Sequence, residues 1–500
     1  MCGGEYEMKW VQRFLRRQLA DEEATQKAYP EFEKIDENLT PNLRALRLTM
    51  TAADTLLSMG VSANSVVAMA LDITETYCKR PVHVDISANL LMLSQLRGVN
   101  KEPLTLFRPV IARETNNMTI RAVQHLIQNI KDGHLTLDQA ELELDKIFKV
   151  PRSYPWWLIM FANAGVTVGV ALLYTTSWKI LLTTFCIGLA ADRLLALLIN
   201  SAVPIFFRQI ITAAFITLSA AGIALLSREG VQFFDGMNPT LIVVGGIIIL
   251  LAGLTIVNAI QDAIDEYYLT AVARILKVAM LTIGIVIGIL IGLYTARKLG
   301  FGIAVSPDPL LVGTLKMQLI GATVLSTVYA VSTQTNLRAI IAAGIVGGGG
   351  FAIVHFIQSA EISVVAATGV AAVFVGFVAS ILSRFWRAPS AGIIAAGILP
   401  LVPGLALYNG LMQLIAYAPG EPNFYRGILT LTTALAIALA LAAGASFGSM
   451  IGQPLDRKLA MRRNALPFAM FRKHSRKLTN SILGKKALAA IEQPSNEEDR

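Results

Sequence analysis

Residues 388–413, APSAGIIAAGILPLVPGLALYNGLMQ, are long and apolar enough to cross a bilayer, yet Pro400, Pro403 and Gly404 stand near their middle. Proline removes a backbone donor and clashes with the turn before it, so one unbroken helix is excluded. In lipid a break is tolerated only where protein groups or a water-filled cavity satisfy the freed carbonyls. Broken membrane helices are a usual place for a transporter's substrate site.

A second stretch matches it. Residues 238–261 read NPTLIVVGGIIILLAGLTIVNAIQ. Both begin with Pro and a hydroxyl residue (Pro239-Thr240, Pro389-Ser390) and continue through small residues, Gly245-Gly246 and Ala395-Ala396-Gly397. Both then reach Gly-Leu-x-x-x-Asn, from Gly253 to Asn258 and from Gly404 to Asn409. One inserted residue brings the pair into line, which reads as an internal repeat. Chance similarity between two apolar helices is the alternative.

Composition fixes the class. The chain is 54% hydrophobic and 15% charged, with a mean hydropathy of +0.57; soluble domains carry about 25% charged residues. This is the profile of an integral membrane protein. The formal charge is +9, and the basic residues gather before Trp156 and after Gln453, outside the apolar block. That pattern speaks for membrane orientation rather than nucleic-acid binding. Cys2, Cys78 and Cys186 are far apart and imply neither a disulfide framework nor a metal site. Residues 1–20 hold several charges and no apolar core, so no signal peptide opens the chain.

Residues 1–154 read as a small soluble α+β domain. A charged helical lead-in covers 8–37, and helices are expected at 43–57, stopping at Gly60, and at 66–73. A hairpin follows, with Val82, Val84 and Ile86 on one face and a turn at Ser87-Ala88-Asn89 before the apolar run 90–96. Helices close the domain at 121–130 and 136–148, the latter with a capping box of Thr136 and Gln139.

A helix crossing about 30 Å of hydrocarbon needs about 20 apolar residues. Ten spans meet this, at 156–174, 179–200, 205–226, 240–260, 269–294, 310–331, 337–357, 362–382, 391–414 and 427–451, with a Gly- and Pro-rich loop after the fifth. In the second, Asp192-Arg193 must pair, face the bundle or mark an earlier helix end. The two matching stretches are the fourth of each five. An odd number of spans per repeat forces opposite orientations, so the architecture is two inverted five-helix repeats, 155–300 and 301–452. The tail 453–500 is strongly basic and belongs in the cytoplasm. An even span count puts the N-terminal domain there too. Among loop residues, Arg208, Arg274, Lys277, Arg338, Arg384 and Arg387 would face in, and Lys179, Arg228, Arg297, Lys298 and Arg426 out, which agrees weakly.

Polar residues inside a bilayer are costly and usually functional. Thr255, Asn258 and Asp262 share one helix face, with Gln261 beside them. Asn258 suits either charged end of a zwitterion. Asp262 suits an ammonium group or a coupling proton, unless Gln261 and Asp262 merely end the helix in the interface. In the ninth span Pro400, Gly404, Leu407 and Tyr408 share a face, and carbonyls freed by Pro400 and Pro403 can accept from an ammonium group. The substrate-binding candidates are therefore Gly253, Thr255, Asn258, Gln261, Pro400, Pro403, Gly404, Tyr408 and Asn409, with Asp262 for ion coupling. A structural kink without a ligand is the alternative for the ninth span. His83 and Asp85 share a strand face but lack a nucleophile, and a solvated face explains them. Lys316 and His355 fall near span ends, where snorkelling accounts for them. No catalytic, metal or cofactor set emerges.

The order of these motifs is similar to that of the bacterial threonine/serine exporter family. The likeness rests on LLSMGVSANSV at 56–66, VHVDIS at 82–87, the helix at 133–148, LLAGLTIVNAIQDAI at 250–264, TAVARILKV at 270–278 and LPLVPGLALYNGL at 399–411, and spans about residues 43–460. The chain departs at Asp265-Glu266-Tyr267-Tyr268, where the family often has a Gly-containing turn. The resemblance implies a multi-pass cell-membrane exporter of threonine and serine driven by an ion gradient, with a hydrophilic N-terminal domain. Its partners would be an amino-acid substrate and the lipid bilayer, with a homo-oligomer left open and no nucleic acid. Some relatives split the halves into separate chains and are linked to dicarboxylates, so a succinate-like substrate is the alternative within transport. A membrane-anchored hydrolase or sensor using His83 and Asp85 is the alternative outside it, though an anchor needs only one or two spans.

Overall fold

The computed structural model describes residues 41–97, 102–149, 154–235, 237–247, 250, 253–300, 313–386, 390–417 and 421–452. The expected lead-in helix at 8–37, the loop after the fifth span and the basic tail lie outside them. Helix α1 (Pro41–Ser58) ends where Gly60 adopts φ +93 and its amide turns back to the Leu57 carbonyl, a left-handed stop that glycine takes without strain. Helix α2 (Ala63–Tyr77) leads into a three-stranded antiparallel sheet, β1 (Val82–Ser87), β2 (Leu90–Gln95) and β3 (Leu104–Pro109), in that order. The hairpin register pairs Ser87 with Leu90 across Ala88-Asn89. Val82 and Ile86 are buried and His83 and Asp85 are exposed, as the alternation requires. β3 was not expected. Helices α3 (Asn117–Lys131) and α4 (Leu137–Lys149) complete the unit. The α4 capping box forms, with Thr136 N donating to Gln139 Oε1 at 3.0 Å and Gln139 N to Thr136 Oγ1 at 3.4 Å. Leu46, Leu56, Ile73, Leu91, Leu93 and Ile130 build one core of their own.

The remaining helices make a polytopic membrane protein. They are α5 (Trp156–Leu172), α6 (Trp178–Asn200), α7 (Ile205–Arg228), α8 (Pro239–Ile247), α9 (Gly253–Ile264), α10 (Tyr268–Lys298), α11 (Leu315–Ser332), α12 (Leu337–Gln358), α13 (Val364–Phe385), α14 (Ser390–Ile398), α15 (Gly404–Ala416) and α16 (Pro422–Gly452). Among the described residues, seven are long and apolar enough to cross a membrane. α6 runs through Asp192-Arg193. Asp192 Oδ1 accepts from Asn163 Nδ2 at 2.8 Å, and its Oδ2 pairs with Arg193 at 2.6 Å. The two charges pair, and the helix does not end there.

The expected fourth span, 240–260, is not one helix but two, α8 and α9. The ninth is also two, α14 and α15, joined by a 3-10 turn, Leu399–Leu401. The leading pieces are described over Pro239–Ile247 and Ser390–Ile398. Both trailing pieces start at the aligned glycines, Gly253 and Gly404. Pro400 and Pro403 explain the second break. No proline stands in 248–252, and the signal for the first break was the repeat alone.

Two further glycine runs match. In α10, a Cβ added at Gly288 would collide with the Ile210 carbonyl of α7; in α16, one at Gly448 would collide with the Val373 carbonyl of α13. Gly284 and Gly292 flank the first site, and Gly444 and Gly452 the second, at four-residue spacing. Small residues at this spacing let membrane helices approach backbone to backbone. The apolar clusters cross over between the halves. Ile256, Val257 and Ile260 of α9 pack with Val346, Val375 and Leu401, whereas Met412 of α15 packs with Ile216, Ile247 and Ile285.

The N-terminal unit touches both halves. Asp262, at the end of α9, accepts the Ala63 amide at 3.2 Å, and Thr270 Oγ1 donates to the Ile86 carbonyl. Asn117 donates through its amide to the Thr333 carbonyl at 3.0 Å and through Nδ2 to Thr333 Oγ1 at 3.0 Å and Thr335 Oγ1 at 2.9 Å. A Cβ on Gly392 would touch the Asn117 side chain. The first broken helix thus ends against this unit, and the second begins against it.

Candidate functional site

The apolar side of α9 reaches the second broken helix. Leu254, Ile256, Val257 and Ile260 of α9 share one apolar cluster with Ile398 and Leu401, the end of α14 and its turn, and with Val402 and Leu407. The polar residues of α9, Thr255, Asn258 and Gln261, are half-buried. Among the described residues none has a side-chain hydrogen bond. Asn409 on α15 is likewise half-buried and has no such bond among the described residues. Amide and hydroxyl groups at membrane depth are costly without partners. Gly253 opens α9. Pro403 precedes α15 with φ −79 and ψ 41, and Gly404 is buried behind it. Pro400 sits in the 3-10 turn, and Tyr408 lies on α15 one turn after Gly404.

Asp262 has other company. Its side chain is fully buried, its Oδ2 lies 2.6 Å from Arg274 Nη1 of α10, and its Oδ1 holds the Ala63 amide. Ser62 makes no capping bond at the start of α2. Asp262 therefore supplies from another helix the anion that a helix N-terminus favours. Asp262 shares the polar face of α9, but its present partners belong to the domain junction and not to the break.

Sequence reasoning missed Gln209. Its Nε2 donates to the Leu250 carbonyl, between α8 and α9, at 3.4 Å. Here a protein group satisfies a carbonyl freed by a broken membrane helix. Glutamine four residues into an apolar span was a visible signal. Glu266 replaces the expected Gly turn and adopts φ +69, with the Tyr267 amide returning to the Asp262 carbonyl at 2.8 Å.

A family described as "Putative threonine/serine exporter" matches residues 47–296, and one described as "Threonine/Serine exporter, ThrE" matches 318–451. A probable threonine/serine exporter of Mycobacterium tuberculosis is 32% identical over 419 residues, covering 82% of this chain and 77% of its own. The threonine/serine exporter of Corynebacterium glutamicum is 28% identical, covering 82% and 83%. A probable succinate transporter subunit of Klebsiella aerogenes is 24% identical over 247 residues, 49% of this chain and 92% of its own. No solved structure matches. On these matches, the chain belongs to the threonine/serine exporter family.

Proposed function

We propose that the protein exports threonine and serine across the cell membrane, binding them between the two broken helices and drawing on an ion gradient. The observation that carries this is the reciprocal crossing of the half-helices. The apolar side of α9, which also packs along α10 of its own half, reaches the cluster around the α14–α15 break, and Met412 of α15 packs into the first half. A zwitterion there would meet a half-helix N-terminus for its carboxylate and Asn258 and Asn409 for its polar ends, with Thr255 for its hydroxyl. The family names favour a hydroxy amino acid over the succinate alternative.

Ten spans in two inverted sets of five suit this reading. Matching glycine runs and opposite directions relative to the N-terminal unit support it. The unit 41–149 would lie on the cytoplasmic side with both termini and adjust transport, with no enzymatic role, since His83 and Asp85 lie exposed. Asp262 could carry the coupling proton only if its pair with Arg274 opens during the cycle. In vesicles carrying the purified chain, preloaded threonine should leave faster than preloaded succinate. Succinate efflux without threonine efflux would reject the substrate assignment.

A further inference from the structure

Among the described residues, the membrane helices α5 to α16 carry two carboxylates, Asp192 and Asp262. Asp262 is fully buried, and the side chain of its partner Arg274 is 17% exposed. Asp192 is held more loosely: its side chain is 11% exposed and that of its partner Arg193 is 44% exposed. Neighbouring residues on a helix point about 100° apart and do not face each other. Arg193 belongs to the outward stripe Leu182, Cys186, Ala190, Arg193 and Leu197, the side that meets lipid. It bends back to reach Asp192, and its guanidinium lies 5.1 Å from the Trp156 ring. Asn163, the other partner of Asp192, follows Trp156 by about 10 Å of helix. The carboxylate thus lies deeper along the span than the tryptophan, and its cation snorkels between the two levels.

The second half of the chain shows that the packing does not require this cluster. A Cβ on Gly188 of α6 would collide with Thr167 of α5, and one on Gly347 of α12 would collide with Ser326 of α11; the two contacts share one sequence offset. By that offset Asn163, Asp192 and Arg193 correspond to Ala322, Phe351 and Ala352. Replacing a buried ion pair by apolar packing is often neutral or stabilising, so stability does not explain the carboxylate. The cluster is also joined to the first broken helix. Thr184, Gly188 and Asp192 form one ridge of α6 at four-residue spacing, facing Thr167, Ala164 and Asn163 of α5. At the far end of the ridge, a Cβ on Gly245 of α8 would lie 2.7 Å from Thr184 Cγ2.

We infer that Asp192 binds and releases the proton that drives transport, with Arg193 as its displaceable counter-ion. This deepens the transport reading and rests on it. A proton from water adds to Asp192 Oδ2 as the hydrogen bond from Arg193 Nη2 breaks. The guanidinium keeps its charge and swings to the interface, so the site gains one positive charge. A carboxylate left bare at this depth is costly, so proton and guanidinium replace each other. Asn163 serves both states, because an amide donates to a carboxylate and, turned over, accepts from the acid. The helices α5, α7 and α8 pack on α6. α5 and α8 contribute no ionisable side chain, and α7 carries Arg208 in its first turn and Arg228 in its last. On α6 itself, Lys179 sits at the far end and Cys186 on the lipid side. The ion pair of Asp192 is with Arg193.

The test uses the full chain in vesicles as wild type, Asp192→Asn, Asp192→Glu and Trp156→Phe. Counterflow reports threonine exchange. Accumulation is driven by an imposed difference of about one pH unit, which sustains a roughly tenfold threonine ratio per coupled proton. Asp192→Asn should still exchange threonine but lose the tenfold ratio, and Asp192→Glu, which keeps a carboxylate, should restore it at least in part. Because the guanidinium leaves the Trp156 ring when the proton binds, part of the tryptophan emission should change with pH in wild type. That part should be absent from Trp156→Phe and from Asp192→Asn. An inserted Asp192→Asn that sustains the ratio overturns the inference, as does a wild type driven by sodium and indifferent to the pH gradient. A wild type that exchanges no threonine counts against the transport reading instead. In that case, or where Asp192→Asn fails to insert, the emission titration of wild type against Trp156→Phe decides: a pH-independent Trp156 overturns the inference.

Discussion

Asp262 caps the N-terminus of α2 from 199 residues away, accepting the Ala63 amide at 3.2 Å while its other oxygen pairs with Arg274. One carboxylate thereby ties the trailing half of a broken membrane helix to the N-terminal unit. A shift of α9 must either carry α2 with it or break this contact.

Asp262→Ala should loosen that junction. It leaves the half-buried Arg274 without its anion, which costs less than the ~3–5 kcal/mol typical of a fully buried pair, and removes a cap worth about 1 kcal/mol. Hydrogen exchange at residues 63–66 should accelerate while the core strand β2 stays protected. Unchanged protection at 63–66 would show that the contact is idle. Asp262→Asn separates docking from coupling. If Asp262 carries the proton, this variant should exchange threonine across the membrane yet fail to concentrate it.

Topology gives a second expectation. α9 ends, and α14 begins, against the same unit, which suits an even number of crossings. Reporter fusions after Arg17 and Lys486 should both report the cytoplasm. Reports from opposite sides would undo the ten-span count and the inverted repeat together.

The glycine runs yield a third. Gly288→Ala drives a methyl into the Ile210 carbonyl, and Gly448→Ala drives one into the Val373 carbonyl. Overpacking of this kind costs about 1–3 kcal/mol, and both variants should melt earlier. Gly222→Ala, with nothing within 4 Å of the new methyl, should not. Equal melting of all three would deny the close packing of α7 on α10 and of α13 on α16.

Most of the membrane architecture was legible because apolar length and proline are local signals. Pro400 and Pro403 announced the second break. The first was hidden, because Ile, Leu and Ala between Ile247 and Gly253 carry no helix-breaking chemistry, and only the aligned repeat hinted at it. The hairpin turn and the Thr136–Gln139 box were readable for the same local reason. β3 was not, since its exposed face does not alternate cleanly. Asn117 and Thr333, or Gln209 and Leu250, meet only through tertiary packing that no spacing rule reports. Asp262 was singled out for its charge, but its partners come from α2 and α10. Glu266 shows the limit of motif reading: the left-handed turn formed although glycine was absent, at about 1 kcal/mol of strain.

The site itself is tested most directly by threonine counterflow in vesicles, comparing wild type with Asn258→Ala. Asn258 lies half-buried on α9 with no side-chain hydrogen bond among the described residues, so the protein's own packing does not depend on one. Loss of its bond to a substrate should cost about 1–3 kcal/mol, seen as a roughly tenfold or greater loss of apparent threonine affinity with normal membrane insertion. Gly404→Leu in the same assay should insert and transport nothing. Wild-type affinity in Asn258→Ala, together with full transport by Gly404→Leu, would contradict a substrate site between the two broken helices.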